Sequence, residues 1–348
     1  MFACCVDVDD GSLDSPPRRV AGEARMEAVG AALPPQAACL RVNDFLDVAA
    51  TAASKAPRTV STAESYLAGR AWVPRSSDVI VATFAKSGTT LTCNICHQLR
   101  TRCGRNDFGE ITQVVPWICV AGDCGQALDG EHVADPRVFK SHVNPSNQHP
   151  GCKKIYVVRD PLRVILSFYA FAKAKGLPFL AHMADALPFV DHPFWQGGPM
   201  IATSKRGNVW QFLIEIYYAR GNADTLVLAF EPMVADPAPP VRAIAQFMQI
   251  EADEALVAAV VAHSSKEYMM AHASQFDDHF LAAKQAARRA AAGGGGGGPD
   301  VRTAAKVTAG GHAVPVGLEV AMQRQWDKYM TPVTGHANYA EYLADITK

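Results

Sequence analysis

A single α/β domain, with a central parallel β-sheet flanked by helices, is the fold class this sequence predicts, on three observations. Residues 79–84 (VIVATF) and 155–158 (IYVV) are short runs of β-branched and aromatic apolar residues, the composition of strands buried on both faces. Each run passes through a brief polar turn straight into a helical pattern, so a strand-helix unit repeats along the chain. With 348 residues, 49% of them hydrophobic, the chain is long enough to bury a sizeable core around such a sheet.

In chain order, residues 1–70 read as an arm and helical lead-in, partly disordered. They are small, polar and proline-punctuated to about residue 35 and helical from about 40 to 53. Residues 71–348 then form the domain, and its sheet begins at Asp78. The first strand ends in a turn, Lys86-Ser87-Gly88-Thr89-Thr90. Gly88 lets backbone approach a ligand closely, and the residues after it open a helix whose free N–H groups attract negative charge. A phosphate or sulfate fits this P-loop-like cradle. It is not the nucleotide triphosphatase loop G-x-x-x-x-G-K-[ST], because no glycine precedes Lys86 and the lysine leads the turn. Cys93 and Cys96 form a C-x-x-C on the helix that follows. They have no second pair at metal-ligand spacing and lie too far into the helix for a redox pair, so they read as ordinary helix residues and no metal site is predicted.

The next strand lies in PRVFKSHVNP, residues 136–145, where Val138 and Phe139 lead into Lys140-Ser141-His142. Histidine has an unperturbed pKa near neutrality, so it suits a general base that takes a proton from an attacking alcohol or phenol. The strand at 155–158 ends in Arg159-Asp160-Pro161. Pro161 fits the first turn of a helix, where its missing N–H costs nothing, and Arg159 falls at a strand's carboxyl end, where open α/β sheets place their ligands. An arginine fork donates two parallel hydrogen bonds to a phosphate, although Asp160 is an alternative partner for it. Ser167 lies two helical turns further on. A helix at 209–218, a strand at 226–230 and a helix at 241–248 follow, the last with Val241, Ile244, Ala245 and Met248 on its core face. A low-complexity insertion at about 285–300 contains six consecutive glycines and reads as flexible, and a helix at 318–329 carrying Trp326 closes the fold.

The order K-S-G-T-T after a strand, then K-S-H, then an arginine and a serine eight residues apart resembles the sulfotransferases that use 3′-phosphoadenosine 5′-phosphosulfate (PAPS), over roughly residues 72–342. The resemblance implies that Lys86, Ser87, Gly88, Thr89 and Thr90 hold the phosphosulfate and that Arg159 and Ser167 hold the 3′-phosphate. It makes His142 the general base, sets Lys140 beside the transferring sulfuryl group, and gives Lys86 the leaving phosphate oxygen. Phe230 and Ser265 fall where relatives contact adenosine, and Lys306 or Thr308 falls where the family's R-K-G loop covers the 3′-phosphate. The chain departs from the family pattern at Ala85 for proline, Leu91 for tryptophan, Pro232 for aspartate, Lys266 for phenylalanine, and in the missing lid arginine. The implied activity is sulfuryl transfer to a hydroxyl or amine of a small-molecule acceptor, without a metal. The alternatives are a catalytically degenerate nucleotide-binding relative acting as an interaction module, and a magnesium-dependent P-loop kinase.

Composition narrows the partners. A formal net charge of −1 argues against nucleic acid or an anionic membrane, and no apolar run reaches the roughly eighteen residues a membrane span needs. Nine cysteines without a secretory leader point to a reducing, cytoplasmic location. Phe168, Tyr169, Phe171, Phe194 and Trp195 line an acceptor pocket or belong to the core. A homodimer is possible, although the K-x-x-x-T-V-x-x-x-E dimer motif of many relatives is not visible.

Overall fold

Four parallel strands form the central sheet of the computed structural model: β1 (Val79–Thr83), β2 (Val138–Ser141), β3 (Lys153–Val158) and β4 (Thr225–Ala229). Their spatial order is β2-β1-β3-β4, so β1 is flanked on both sides and all five of its residues are buried. The structure describes residues 60–176, 180, 182–192, 195–196, 200–201, 204–205, 207–291 and 312–347, all within one unit, Ala52–Lys348. The expected arm before residue 60, the polyglycine run, Phe194, Lys306 and Thr308 lie outside the described residues.

The connection from β1 returns to one side at β2 and the chain then crosses to β3 on the other. This makes the carboxyl ends of β1 and β3 the point where the order reverses and a crevice opens. Two strands end earlier than the apolar pattern predicts. Phe84 leaves β1 because its carbonyl accepts the Ser87 N–H at 3.2 Å and starts the turn. Phe230 leaves β4 because the register ends at Val158↔Ala229, where β3 runs out, and it starts a helix instead.

Helix α1 (Ala63–Ala71) precedes the sheet, and α2 (Thr89–Thr101) follows β1, with Cys93, Ile95, Cys96 and Leu99 buried in one cluster with Val79, Val81 and Val138. Burial raises the Cys96 thiol pKa, which fits the reading of the C-x-x-C as helix core. Helix α3 (Pro161–Ala174) follows β3, and α4 (Val209–Ala219) leads into β4. After β4 come α5 (Phe230–Ala235), α6 (Ala238–Met248), α7 (Glu254–Ser264), α8 (Lys266–Ala271) and α9 (His279–Ala291). The α6 face of Val241, Ile244, Ala245 and Met248 is buried as its spacing predicts. Helix α9 extends into the segment expected to be a flexible insertion. Its alanines, arginines and glutamine are strong helix formers, and it is tied to α1 by Arg288, which donates to Asp123 at 3.1 Å and to Glu64 at 2.7 Å. Helices α10 (Leu318–Tyr329) and α11 (Tyr339–Ile346) end the chain. Among the described residues no helix is long and apolar enough to cross a membrane.

At the amino ends of β1 and β2, opposite the crevice, a fully buried ion pair joins the strands. Asp78 accepts from Arg137 Nε at 2.8 Å and from its terminal nitrogen at 2.6 Å, while Arg137 also donates to the carbonyls of Leu128 and Gly130 at 3.0 and 3.2 Å.

On α2 a second buried guanidinium, Arg100, donates to His97 Nδ1 at 3.3 Å, His132 Nδ1 at 3.1 Å and the Val114 carbonyl at 2.6 Å. Burial first, and Arg100 second, lower the pKa of both histidines to about 4, and His97 passes its Nε2–H to the Arg105 carbonyl at 2.8 Å. A histidine whose folded pKa lies below its unfolded value stabilises the fold above the unfolded pKa and loses that stability as pH falls. The window therefore runs from about 6.5 down to about 4, with a slope of up to about 1.4 kcal/mol per pH unit for each group. Urea midpoints are expected to drop across this window, and His97→Gln, which still accepts from Arg100, is expected to make the drop shallower. Midpoints independent of pH between 7.5 and 4.5 would refute this.

Candidate active site

The turn between β1 and α2 is shaped by two residues with positive φ, Lys86 at 71° and Gly88 at 97°. Gly88 is needed for two reasons. Its φ is unfavourable for a side chain, and a Cβ there would lie 2.7 Å from Cδ2 of Phe230. As the N-cap of α2, Gly88 brings no capping side chain, so the first-turn N–H groups are left to serve an anion. The Thr83 and Thr89 hydroxyls hydrogen-bond to each other and tie the helix start to the strand end, and Thr92 Oγ1 donates back to the Gly88 carbonyl at 3.1 Å. Ser87 is buried inside the turn.

Because β2 pairs with β1 in the register Val81↔Lys140 and Ala82↔Ser141, His142 arrives beside Thr83. Its Nδ1 lies 2.8 Å from the Thr83 carbonyl. A carbonyl only accepts, so Nδ1 carries a proton, the tautomer that in a neutral imidazole puts the lone pair on Nε2. Trp117 supports this corner. It stands edge-on to the His142 ring, with centroids 5.1 Å apart at 87°, and lies 4.2 Å under the Lys140 ammonium. The strip around Trp117 is held by β2, since Lys140 N–H donates to the Pro116 carbonyl at 2.8 Å and Ile118 N–H to the Lys140 carbonyl at 3.0 Å. Sequence reasoning missed Trp117, whose only local signal is the apolar run around Pro116.

Arg159 leaves the end of β3 and reaches the same turn. One terminal nitrogen donates to the Lys86 carbonyl at 2.6 Å, and its guanidinium lies 4.2 Å over the Phe230 ring. Its Nε is buried without a hydrogen-bond partner among the described residues, and burial lowers its pKa. Asp160 caps α3 by accepting from Leu162 N–H at 2.9 Å, and gives its own N–H to Glu231 at 2.9 Å. On α3, Ser167 is half-buried, and one turn later Phe171 meets the Lys86 ammonium at 4.3 Å and the Lys175 ammonium at 4.4 Å.

The sheet ends thus bring together Lys86 to Thr90, Arg159, Phe230, Lys140 and His142. Ser265 is the N-cap of α8, where its oxygen accepts from Tyr268 N–H at 3.1 Å. Its neighbour Ser264 and the His263 carbonyl accept from Asn94 of α2 at 3.2 and 2.9 Å, which sets this segment against the helix that begins at Gly88. Of the aromatic candidates, Phe168, Tyr169 and Trp195 are buried, Phe168 stacked on Phe189 at 5.9 Å and Trp195 edge-on to Phe84 at 6.0 Å. Phe171 alone of those described is half-buried, beside the lysines. Among the described residues no cluster of histidine, cysteine or carboxylate groups fits a metal ion.

The turn of Lys86 to Thr90, Arg159 and His142 thus lie at the carboxyl ends of parallel strands around the switch point, where open α/β sheets bind their ligands. The chain belongs to the sulfotransferase domain family, whose model matches residues 76–293. It is 26% identical over 196 residues to Sulfotransferase 4A1 of Mus musculus, covering 54% of this chain and 66% of that protein. It is 26% identical over 203 residues to the amine sulfotransferase of Oryctolagus cuniculus, covering 56% and 64%. The chain therefore spans a little under two thirds of the length of these relatives. The crystal structure of retinol dehydratase in complex with androsterone and inactive cofactor PAP shares the fold, with a TM-score of 0.51 and 15% identity, over 82% of this chain and 86% of that one.

Proposed function

We propose that the protein transfers a sulfuryl group from PAPS to a hydroxyl or amine of a small-molecule acceptor, with His142 as general base. The observation that carries this reading is the meeting of two devices at adjoining strand ends. Arg159 is bonded at 2.6 Å to the carbonyl of Lys86, the lysine that leads the anion cradle, and His142 has its tautomer set by the Thr83 carbonyl at 2.8 Å. Sulfuryl transfer asks for this combination, since it needs in-line positioning and neutralised oxygens with little covalent work from the protein.

In this mechanism the first-turn N–H groups of α2, with Ser87, Thr89 and Thr90, hold the phosphosulfate. Arg159 and Ser167 hold the 3′-phosphate, and the buried Nε of Arg159 supplies one donor for it. Phe230, packed on Gly88 and under Arg159, fixes the guanidinium. His142 Nε2 takes the proton as the acceptor oxygen or nitrogen attacks sulfur. The bond from sulfur to the bridging phosphate oxygen breaks, and its electron pair leaves on that oxygen, where the Lys86 ammonium neutralises it. Lys140 faces the sulfuryl oxygens. The products are the sulfated acceptor and 3′-phosphoadenosine 5′-phosphate (PAP), and His142 holds the proton. By the family resemblance Ser265 contacts adenosine, and Lys306 or Thr308 stands in for the lid arginine over the 3′-phosphate. Retinol dehydratase, which shares this fold, is known in complex with androsterone and PAP, which is in keeping with a PAPS donor and a small-molecule acceptor.

The test is incubation with PAPS and pooled phenols, sterols, alcohols and amines, following PAP release and sulfated product, with and without a metal chelator. Product formation indifferent to the chelator is expected. Turnover of ATP that requires magnesium, with none of PAPS, would replace this reading with phosphoryl transfer.

A further inference from the structure

We infer that Tyr339, on the last helix, is a positioning residue for the donor site, holding in place the turn that aims Arg159. The inference rests on the donor reading given above for Arg159. One carboxylate makes the connection. Glu231 accepts the Tyr339 hydroxyl proton on Oε2 at 2.9 Å and the Asp160 backbone N–H on Oε1 at 2.9 Å. Each end of this bridge is adjacent in sequence to a part of the arginine's setting. Asp160 follows Arg159 at the end of β3, and Glu231 follows Phe230, over whose ring the guanidinium lies at 4.2 Å. The backbone beside Arg159 and the aromatic platform under it are therefore locked together through Glu231, and Tyr339 fixes the orientation of Glu231.

The tyrosine is itself well held. It opens α11, stands edge-on to Trp326 at 6.3 Å and 82°, and stacks on Tyr342 at 6.2 Å and 27°. Burial first, and the Glu231 carboxylate second, raise its pKa, so the phenol stays a donor at neutral pH. Without that donor the Glu231 side chain loses one of its two anchors. Its hold on the Asp160 N–H weakens, and the 159–161 turn samples positions in which Arg159 no longer meets a phosphate. The effect falls on donor affinity, because the two groups that the bridge joins, the Asp160 N–H and the Glu231 carboxylate, flank Arg159 and the Phe230 ring beneath it.

Tyr339→Phe removes the hydroxyl and keeps the ring contacts. The deuterium exchange rate of the Asp160 amide is expected to rise about tenfold, and the Kd for PAP about three- to tenfold, as loss of one hydrogen bond to a carboxylate allows. At saturating PAPS, kcat is expected to stay within about twofold of the parent's. Tyr342→Phe is the control, since its hydroxyl bonds the Leu213 carbonyl at 2.9 Å from the same helix, away from Arg159. It is expected to leave Asp160 exchange and PAP affinity unchanged. Unchanged Asp160 exchange in Tyr339→Phe, or an equal rise in both variants, would overturn the inference. Failure of the parent to bind PAP would instead overturn the donor reading, and the exchange rates would still decide whether Tyr339 holds the turn.

Discussion

Replacing His142 with alanine is expected to lower kcat by about 10²-fold or more, the usual contribution of a positioned general base. The expectation rests on position. The ring is buried between Trp117 and the Thr83 carbonyl, one strand away from the anion cradle, with its Nδ1 committed to that carbonyl at 2.8 Å. In that tautomer Nε2 is the ring nitrogen that can accept a proton. Because the proposed donor contacts come from the cradle and Arg159 and the role proposed for His142 is proton removal from the acceptor, PAP affinity in His142→Ala is expected to stay within about threefold, so the loss falls on kcat. Steady-state rates and PAP titration on the same preparation separate the two. Turnover within about threefold of the parent would remove His142 from the mechanism.

The second large effect is on stability. Arg137→Met is expected to destabilise the fold by ~3–5 kcal/mol, because it leaves the Asp78 carboxylate buried and unpaired. Asp78 is completely buried and receives two donors from Arg137, and Arg137 also satisfies the Leu128 and Gly130 carbonyls. A paired Asp78→Leu/Arg137→Met variant is expected to recover much of that loss, since the buried charge is gone on both sides. Urea unfolding of the parent and the variants gives these differences directly. A cost below ~1 kcal/mol for the single change would show that the pair is not buried as described.

The placement of the candidate site residues at strand ends was legible in the sequence because its signals are local. A β-branched apolar run marks each buried strand, and the residues immediately after it mark the strand's carboxyl end, so Lys86 to Thr90, Lys140 to His142 and Arg159 were readable as ends of adjacent elements. Pro161 at the first turn of α3 and the i, i+3, i+4, i+7 face of α6 were readable for the same reason. What was not legible depends on partners far away in the chain. Asp78 and Arg137 are 59 residues apart, Asp160 and Glu231 are 71 apart, and Glu231 and Tyr339 are 108 apart. No periodicity connects such pairs. Trp117 was missed because it joins β2 by a short bridge rather than by a strand of its own. The apolar pattern puts Phe230 on β4 but it opens α5, since strand length here is set by where β3 stops pairing rather than by the hydrophobicity of β4.

The most direct test of the donor site is calorimetric titration with PAP, using ATP and magnesium as the control and Arg159→Ala in parallel. Micromolar PAP binding by the parent, lost in Arg159→Ala and not reproduced by ATP with magnesium, is the expected result. Absence of PAP binding to the parent, or binding that Arg159→Ala leaves undiminished, would contradict the assignment of the crevice at β1 and β3 as a donor site.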